Sequence, residues 1–562
     1  MVIPFLDKPR IAYFSMEIAL APDIPTYAGG LGVLAGDTLR SAADLRLPVV
    51  GVTLANRKGH FRQEVDAAGR QIEHPAAWDP ARHAGPLEAN VAVPIAGRDV
   101  WVGGWLYNVQ SPAGVQVPVI LLDTDLVENE AADREITHTL YGGDLAYRLK
   151  QEIVLGVGGV RMLQALGFNV RSYHMNEGHS ALLAVELMRR FRSVLRRRTD
   201  EPTYNLPAVR ALCSFTTHTP VEAGHDQFEW PLVQDLLQGF VAVEDLKGIS
   251  GPDRLNMTLL ALNLSNYVNG VARRHAEISR KMFAGHEVHA VTNGVHPRTW
   301  TSAPFAALYD RRLPGWSYEP ELLNRADQIG DEDIWAAHLE AKTRLIDRVK
   351  ARCGVVLDPA LPTIGFARRM TGYKRPGLLF TDLARLRAIA KRYPFQLVLA
   401  GKAHPADSSG KSAIEEIHRH LRALEGTVRG AYVPDYDMSA SLELIAGSSI
   451  WLNTPLPPLE ASGTSGMKAC LNGVPHLSVL DGWWVEGCIE GVTGWAIGGA
   501  SPGAGDDDAK SLYDKLEQVV LPLWYGERSK WIAVMKGAIA KNASYFNSHR
   551  MLRRYAIDAY LR

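Results

Sequence analysis

Thr363-Ile-Gly-Phe-Ala-Arg-Arg-Met-Thr-Gly-Tyr-Lys-Arg-Pro376 sets the reading of the chain. Thr363 to Ala367 is a short apolar run of buried-strand type, and it gives way at once to Arg368, Arg369, Lys374 and Arg375. An amphipathic stretch, Gly377 to Arg392, comes next, and then a second apolar run, Phe395 to Ala400. Strand, longer helix, strand is the pattern of a parallel α/β unit.

The alternation recurs on both sides. Ile11 to Phe14, Val117 to Leu122, Ala211 to Thr216 and Ile450 to Asn453 read as strands. Arg148 to Leu166, Ser180 to Arg190, Glu332 to Arg352 and Ser412 to Leu424 read as helices. No repeat or low-complexity tract interrupts them. The chain has 562 residues, more than one core holds, so two large doubly wound units of roughly 250 residues are expected, with a ligand crevice between the carboxyl ends of their strands. The proline-rich stretch Asn293 to Asp331 is the expected connection between them.

Composition narrows the classes. Apolar residues make up 46% and charged residues 22%, and the formal net charge is zero. That balance supplies no whole-chain field for nucleic acid or an anionic membrane. The four cysteines, Cys213, Cys353, Cys470 and Cys488, form no C-x-x-C pair, so neither a disulfide framework nor structural zinc is expected. The first ten residues do not read as a leader, and no apolar run reaches the about 18 residues of a membrane span. A cytoplasmic location is expected.

Three segments carry chemistry. In Glu460-Ala-Ser-Gly-Thr-Ser-Gly-Met-Lys468, small residues open a helix with Lys468 one turn inside. Such a start attracts phosphate, although an ordinary capped helix with a surface lysine fits the spacing equally well. In Arg368 to Pro376, Pro376 suits the first turn of the next helix, and cations crowded at a helix start make sense around an anion. A solvated basic face is the plainer alternative. In Tyr27-Ala-Gly-Gly-Leu-Gly-Val-Leu-Ala-Gly-Asp37, Gly29, Gly30 and Gly32 would let backbone approach a ligand, but a plain turn explains them too. His174, Glu177 and His179 could be metal ligands but lack a convincing third partner, so no metal is expected; His218 falls at a strand's carboxyl end. No G-x-S-x-G elbow or P-loop is present.

Taken together, these segments resemble the α-glucan (glycogen/maltodextrin) phosphorylase family, in its shorter bacterial and archaeal branch, from Tyr13 to about Gly499. Glu460 to Lys468, continuing Ala-Cys-Leu-Asn-Gly473, is similar to the family's cofactor-lysine signature, and Phe366 to Arg375 to its phosphate segment. Val268-Asn-Gly-Val-Ala272, Thr292-Asn-Gly-Val-His-Pro297, Gly401-Lys-Ala403 and Asp481-Gly-Trp-Trp-Val-Glu486 also match.

The resemblance implies a glycosyltransferase-B fold: an N-terminal α/β domain over 1–300 on the glucose side, and a C-terminal one over 301–562 on the cofactor and phosphate side. It implies a hexosyltransferase that phosphorolyses terminal α-1,4-linked glucose reversibly to glucose 1-phosphate, with pyridoxal 5′-phosphate on Lys468. Thr464, Ser465 and Arg368 would hold the cofactor. Arg369, Lys374 and the Gly30 backbone would hold substrate phosphate. His218, Asn269, Tyr373, Glu460 and Gly463 would bind glucose, with Leu31, Asp144, His179 and Ser462 also on the substrate.

Lys468, Arg369, Lys374 and His218 form the implied catalytic set. Expected partners are α-1,4-glucan or maltodextrin, inorganic phosphate and glucose 1-phosphate, with no nucleic acid or membrane; a homodimer stays open. The chain is shorter than animal and plant members, and no allosteric regulation is expected. Pro455-Leu-Pro-Pro-Leu459 and Leu145 depart from the family's usual residues and leave the acceptor undefined. Two other readings stay open: a nucleotide-sugar glucosyltransferase of the same fold, and a catalytically silent carbohydrate-binding protein.

Overall fold

The computed structural model describes residues 10–191, 203–221, 224–499 and 505–561. Two sheets organise them. The first runs, in spatial order, His289–Ala290, Tyr267–Gly270, Cys213–Thr216, Ser172–Asn176, Ile11–Phe14, Val49–Leu54, Gln116–Asp123, Arg98–Gln110 and Gly85–Pro86, with Val91–Ile95 also paired to Arg98–Gln110. The strands from His289 to Asp123 in that order are parallel, and the remainder pair antiparallel. The second sheet is all parallel: Arg429–Val433, Gln396–Ala400, Thr363–Ala367, Ile450–Asn453, His476–Val479, Gly494–Ile497.

Numbered by chain order, the parallel strands of both sheets run 3-2-1-4-5-6, with one further strand in the first. That order reverses direction between strands 1 and 4, where loops at the carboxyl ends part and leave a crevice. In the first sheet the reversal lies between Ile11–Phe14 and Ser172–Asn176, and in the second between Thr363–Ala367 and Ile450–Asn453. These strands are buried on both faces, which is why they read as unbroken apolar runs.

The expected connection, Asn293 to Asp331, is built largely of helices, and one expectation further on is corrected. Pro297, Pro304 and Pro320 each open a helix, and Trp300, Phe305 and Trp316 are buried in the core. The helix expected from Gly377 begins only at Leu383; Arg375 takes a positive φ of 46° and ends the first short turn. The cations after Ala367 therefore lie in an irregular loop and not at a helix start.

Three helices bear on the crevice, α1 (Gly30–Asp44), α2 (Leu145–Ile153) and α3 (Ser465–Leu471), and a fourth, α4 (Ser548–Tyr555), lies behind them. The closing helix, α4, packs back on α1. Met551, Leu552 and Tyr555 join Leu34 and Leu39 in one apolar cluster, and Ser41 Oγ meets Ser548 Oγ at 2.6 Å.

Beside this contact Asp44, His296 and His549 gather, their ligating atoms within 4.8 Å of one another. The pairing reads as a clasp and not a metal site. His296 Nδ1 accepts from the Thr299 N–H at 3.2 Å, so its Nε2 keeps the proton and donates to Asp44 Oδ2 at 2.8 Å. His549 Nε2 donates to the same oxygen at 3.2 Å, and Ser111 donates to Oδ1 at 2.6 Å. Burial would raise the Asp44 carboxyl, but the hydrogen bonds from His296 and His549 outweigh it and hold it well below the usual carboxylate range.

Asp44→Asn should cost about 2–4 kcal/mol, because the buried donors lose their charged acceptor. Asp44's share of stability is full above the unfolded carboxyl pKa of about 3.9 and is lost as pH falls through the lower folded value. Denaturant melts of variant and wild type should differ at pH 7 and converge only below about pH 4. Among the described residues no helix is long and apolar enough to cross a membrane.

Candidate active site

The two chain reversals face one cavity of about 890 Å³. Glu17 and Glu177 reach it from the first sheet, Arg368, Arg369 and Glu460 from the second, and α1 and α3 present their first turns to it.

Lys468 lies in the buried first turn of α3. Its Nζ sits 3.4 Å from the centroid of the Trp300 ring and makes no ion pair among the described residues. Burial pushes its pKa down to about 8, with Asp37 opposing. A buried amine without a carboxylate partner is poised as a nucleophile toward a carbonyl.

Beside it the charges are crowded. Arg368 donates to Glu460 Oε2 at 2.6 Å, and Lys374 Nζ reaches Glu460 Oε1 at 2.7 Å and Oε2 at 2.6 Å. Burial would raise Glu460, but Lys374 and Arg368 prevail and hold it at about 2. One carboxylate thus answers two cations, and Arg369, exposed on the cavity wall, makes no ion pair among the described residues. Arg368 Nε and Nη1 and Ser462 Oγ are buried without partners among the described residues. Unpartnered buried donors beside surplus positive charge are the signature of an anion site. Thr464 also lines the wall; Ser465 Oγ accepts from Trp451 at 3.0 Å and Asn453 at 3.2 Å and keeps its own proton to donate.

Opposite lies the glycine loop. Gly29 and Gly30 have nothing within 4 Å of an added Cβ, so backbone there is open to the cavity, and Leu31 follows on the wall. Gly32 is small for another reason: a Cβ there would meet Glu17 and Tyr27 at 2.7 Å. Glu17 Oε2 accepts from the Ala28 and Gly29 amides at 2.6 and 3.1 Å, and Oε1 accepts from Tyr141 Oη at 2.8 Å.

On the remaining side His218 Nε2 lies 2.7 Å from Asn176 Oδ1, while Asn176 Nδ2 donates to Ser15 at 3.1 Å. The asparagine therefore accepts, His218 carries its proton on Nε2, and Nδ1 is left as an acceptor. Burial holds His218 well below its ordinary pKa, so the ring is neutral. Glu177, at φ 75°, accepts from the His218 amide at 2.8 Å and from Thr219 Oγ1 at 2.9 Å. Such a strained non-glycine conformation is kept where it positions neighbours.

His179 lines the cavity 3.4 Å from Asp226, and burial lowers it to about 4. Asp144 caps α2 at the cavity's mouth through the Tyr147 amide, and Tyr373, Ser462 and Gly463 line the wall by Glu460.

Of the residues that the resemblance assigns to the cofactor or substrate, Asn269 is the one not on this wall. It lies buried in its strand: Oδ1 accepts from Thr216 Oγ1 at 2.8 Å, and Nδ2 donates to Tyr555 Oη at 3.0 Å and Gly270 O at 3.1 Å. Asn293, in the quoted Thr292 to Pro297 stretch, is the asparagine on the cavity, with Oδ1 buried and unpartnered. His174 also turns away, its nitrogens at 2.6 Å from Tyr560 Oη and 2.9 Å from Thr216 Oγ1, so His174 and His179 do not converge on a metal. Trp300 and Glu17 had no signal in the sequence, whereas Tyr141 opens the loop Tyr141-Gly-Gly-Asp144, which matches the family's short branch.

A family model described as carbohydrate phosphorylase matches residues 242–493. The chain is 38% identical to a maltodextrin phosphorylase of Thermococcus litoralis, over 99% of this chain and 71% of that one. It is 37% identical to a glycogen phosphorylase of Aquifex aeolicus, over 98% and 85%. Against a glycogen phosphorylase of Mycobacterium bovis the identity is 36%, over 98% and 70%. The chain belongs to the carbohydrate phosphorylase family.

Proposed function

We propose that this protein is an α-1,4-glucan phosphorylase of glycosyltransferase-B type. It transfers a terminal glucose reversibly from glucan to inorganic phosphate and releases α-glucose 1-phosphate. We further read a glucose-side domain over 1–300 and a phosphate-side domain over 301–562, with α4 returned to the first, and a cytoplasmic location.

The observation that carries the reading is the meeting, in one cavity, of a buried lysine and Arg369, neither with an ion pair among the described residues, and Arg368, whose buried Nε and Nη1 have no partner among them. These residues fit pyridoxal 5′-phosphate: Lys468 for the covalent link, and Arg368, Thr464 and Ser465 for the phosphate. When bound, the cofactor supplies a phosphate group able to exchange a proton with its neighbour.

The chain's own residues explain why phosphate, and not water, takes the glucose. A glycosidase needs a carboxylic acid held protonated beside a carboxylate. Glu460 is held at about 2 by its two cations, Glu17 and Glu177 have their oxygens occupied by backbone amides and hydroxyls, and Asp144 and Asp437 accept from the Tyr147 and Ala440 amides as helix caps. The proton for the leaving oxygen therefore comes from substrate phosphate, held by Arg369, Lys374 and the Gly30 backbone. The bond from glucose C1 to the glucan oxygen breaks as that proton is delivered. A phosphate oxygen then bonds to C1 from the same face, so the α configuration is retained. Neutral His218 and Asn293, with Tyr373 and Gly463, hold the glucose hydroxyls.

Maltoheptaose with phosphate should yield α-glucose 1-phosphate, and UDP-glucose or ADP-glucose should not be consumed. Turnover of a nucleotide sugar by cofactor-free protein would replace this reading with a glucosyltransferase.

A further inference from the structure

Asn293 reaches the cavity from a segment with no regular structure, Val291 to His296. Its amide donates to Val271 O at 3.0 Å, yet that single bond leaves the peptides on either side free to rotate. The last part of the chain supplies the missing restraint. Segment 545–550 crosses behind the loop: Val295 N–H donates to Phe546 O at 3.2 Å and Ser548 N–H to Val295 O at 2.9 Å. The crossing is so close that a Cβ on Gly294 would fall 2.1 Å from Asn547 O.

From this crossing Arg550 spreads its guanidinium over three carbonyls. Nε donates to Tyr545 O at 3.0 Å, Nη1 to Thr292 O at 2.8 Å and Nη2 to Asn293 O at 3.0 Å. The ring of Tyr545 lies 4.8 Å from the guanidinium carbon and keeps the fork in plane. On the other flank Thr292 Oγ1 donates to Glu486 at 2.9 Å, and the Arg273 amide donates to Glu486 Oε1 at 3.0 Å.

We infer that Arg550 is a positioning residue: by gripping the carbonyls of Thr292 and Asn293 it fixes both peptide planes around Asn293 and so aims that side chain at the glucose. The inference rests on the reading of Asn293 as a sugar-side residue. A planar fork can bridge two successive carbonyls, whereas a lysine ammonium on the same stem cannot hold both in one plane. The aim matters because Asn293 Oδ1 is buried and has no donor among the described residues to orient it. A misplacement of about 1 Å at a binding group costs up to about a hundredfold in rate.

The test is a double-mutant cycle on the cofactor-loaded, full-length enzyme, reading phosphorolysis against glucan and against phosphate. Arg550→Lys should lower kcat/KM for glucan roughly ten- to a hundredfold and leave the phosphate KM within about twofold. In an Asn293→Ala background the same change should add less than about twofold, since its only route of action is gone. Arg550→Ala should regain activity in added ethylguanidinium, and that rescue should be absent when Asn293 is alanine.

Multiplying effects in the double variant, or an equal change in phosphate KM, would show a general structural role and overturn the inference. If Arg550→Lys does not fold, the Arg550→Ala rescue decides alone, and rescue that persists without Asn293 overturns it too. Full activity in Asn293→Ala itself would instead remove the sugar-side reading of Asn293, an outcome separate from the cycle.

Discussion

Lys468→Ala should be isolated without covalently attached pyridoxal phosphate and should lose phosphorolysis by at least about 10³-fold. Three lysines line the cavity, and their surroundings decide between them. Lys374 is tied to Glu460, and Lys402 to Asp435 at 2.7 Å. Lys468 has the face of Trp300 and no ion pair among the described residues. With its pKa lowered to about 8, far more of it is free amine near neutral pH than of an ordinary lysine at about 10.4. Attachment of the cofactor to stripped protein should therefore speed up with rising pH, with a midpoint near 8, and level off above it. Borohydride fixation and then peptide mass analysis read both the site and the rate. An adduct on Lys374 or Lys402, or a midpoint near 10, would remove Lys468 from this role.

Much of the fold and of the site is legible in the amino-acid sequence alone. The strands Ile11–Phe14, Thr363–Ala367 and Ile450–Asn453 are read to the residue, because strands buried on both faces are short unbroken apolar runs bounded by polar residues. Arg368, Arg369 and Lys468 are legible because each sits directly after such a strand or in the helix that succeeds one, where chain order implies the crevice; Glu460 lies in the loop between strand and helix, and only the family resemblance singles it out.

Tertiary packing sets the part that escapes a sequence reading. Two Asn-Gly pairs, Asn269-Gly270 and Asn293-Gly294, look alike in sequence. Which one faces the cavity depends on Tyr555 filling the hydrogen bonds of the first and Arg550 gripping the backbone of the second, both from a helix more than 250 residues away. Proline-rich Asn293 to Asp331 reads as a connection because proline marks loops. The structure uses Pro297, Pro304 and Pro320 in first turns, where a missing amide costs nothing. Trp300 has no local pattern, since its role comes only from the lysine that α3 brings against it.

Arg369→Ala should lower kcat/KM for phosphate by about 10²-fold while glucan binding stays nearly unchanged. The reason is a count of charges. Arg368 and Lys374 share the carboxylate of Glu460, so much of their field is answered within the protein. Arg369 is the cavity-wall cation of this loop that makes no ion pair among the described residues. Its removal takes a full charge from the place where, in the proposed function, cofactor and substrate phosphates lie together and repel.

Arg369 is exposed, so water screens part of that charge, which puts the loss toward the lower end of the 10²–10³-fold range for removing one stabilising donor. Arg369→Lys should recover part of the loss, because a point charge restores attraction but not the two-toothed grip on phosphate. A second readout needs no turnover. Burial first, and then neighbours that include Arg369, lower His60 to about 4, and burial and then Arg369 lower His404. In Arg369→Ala the NMR titrations of both imidazoles should move upward, His404 the more because Arg369 acts on it more strongly than any other charged neighbour. A phosphate KM within twofold of wild type, with unmoved histidines, would mean that Arg369 points into solvent and that the phosphate lies elsewhere on the wall.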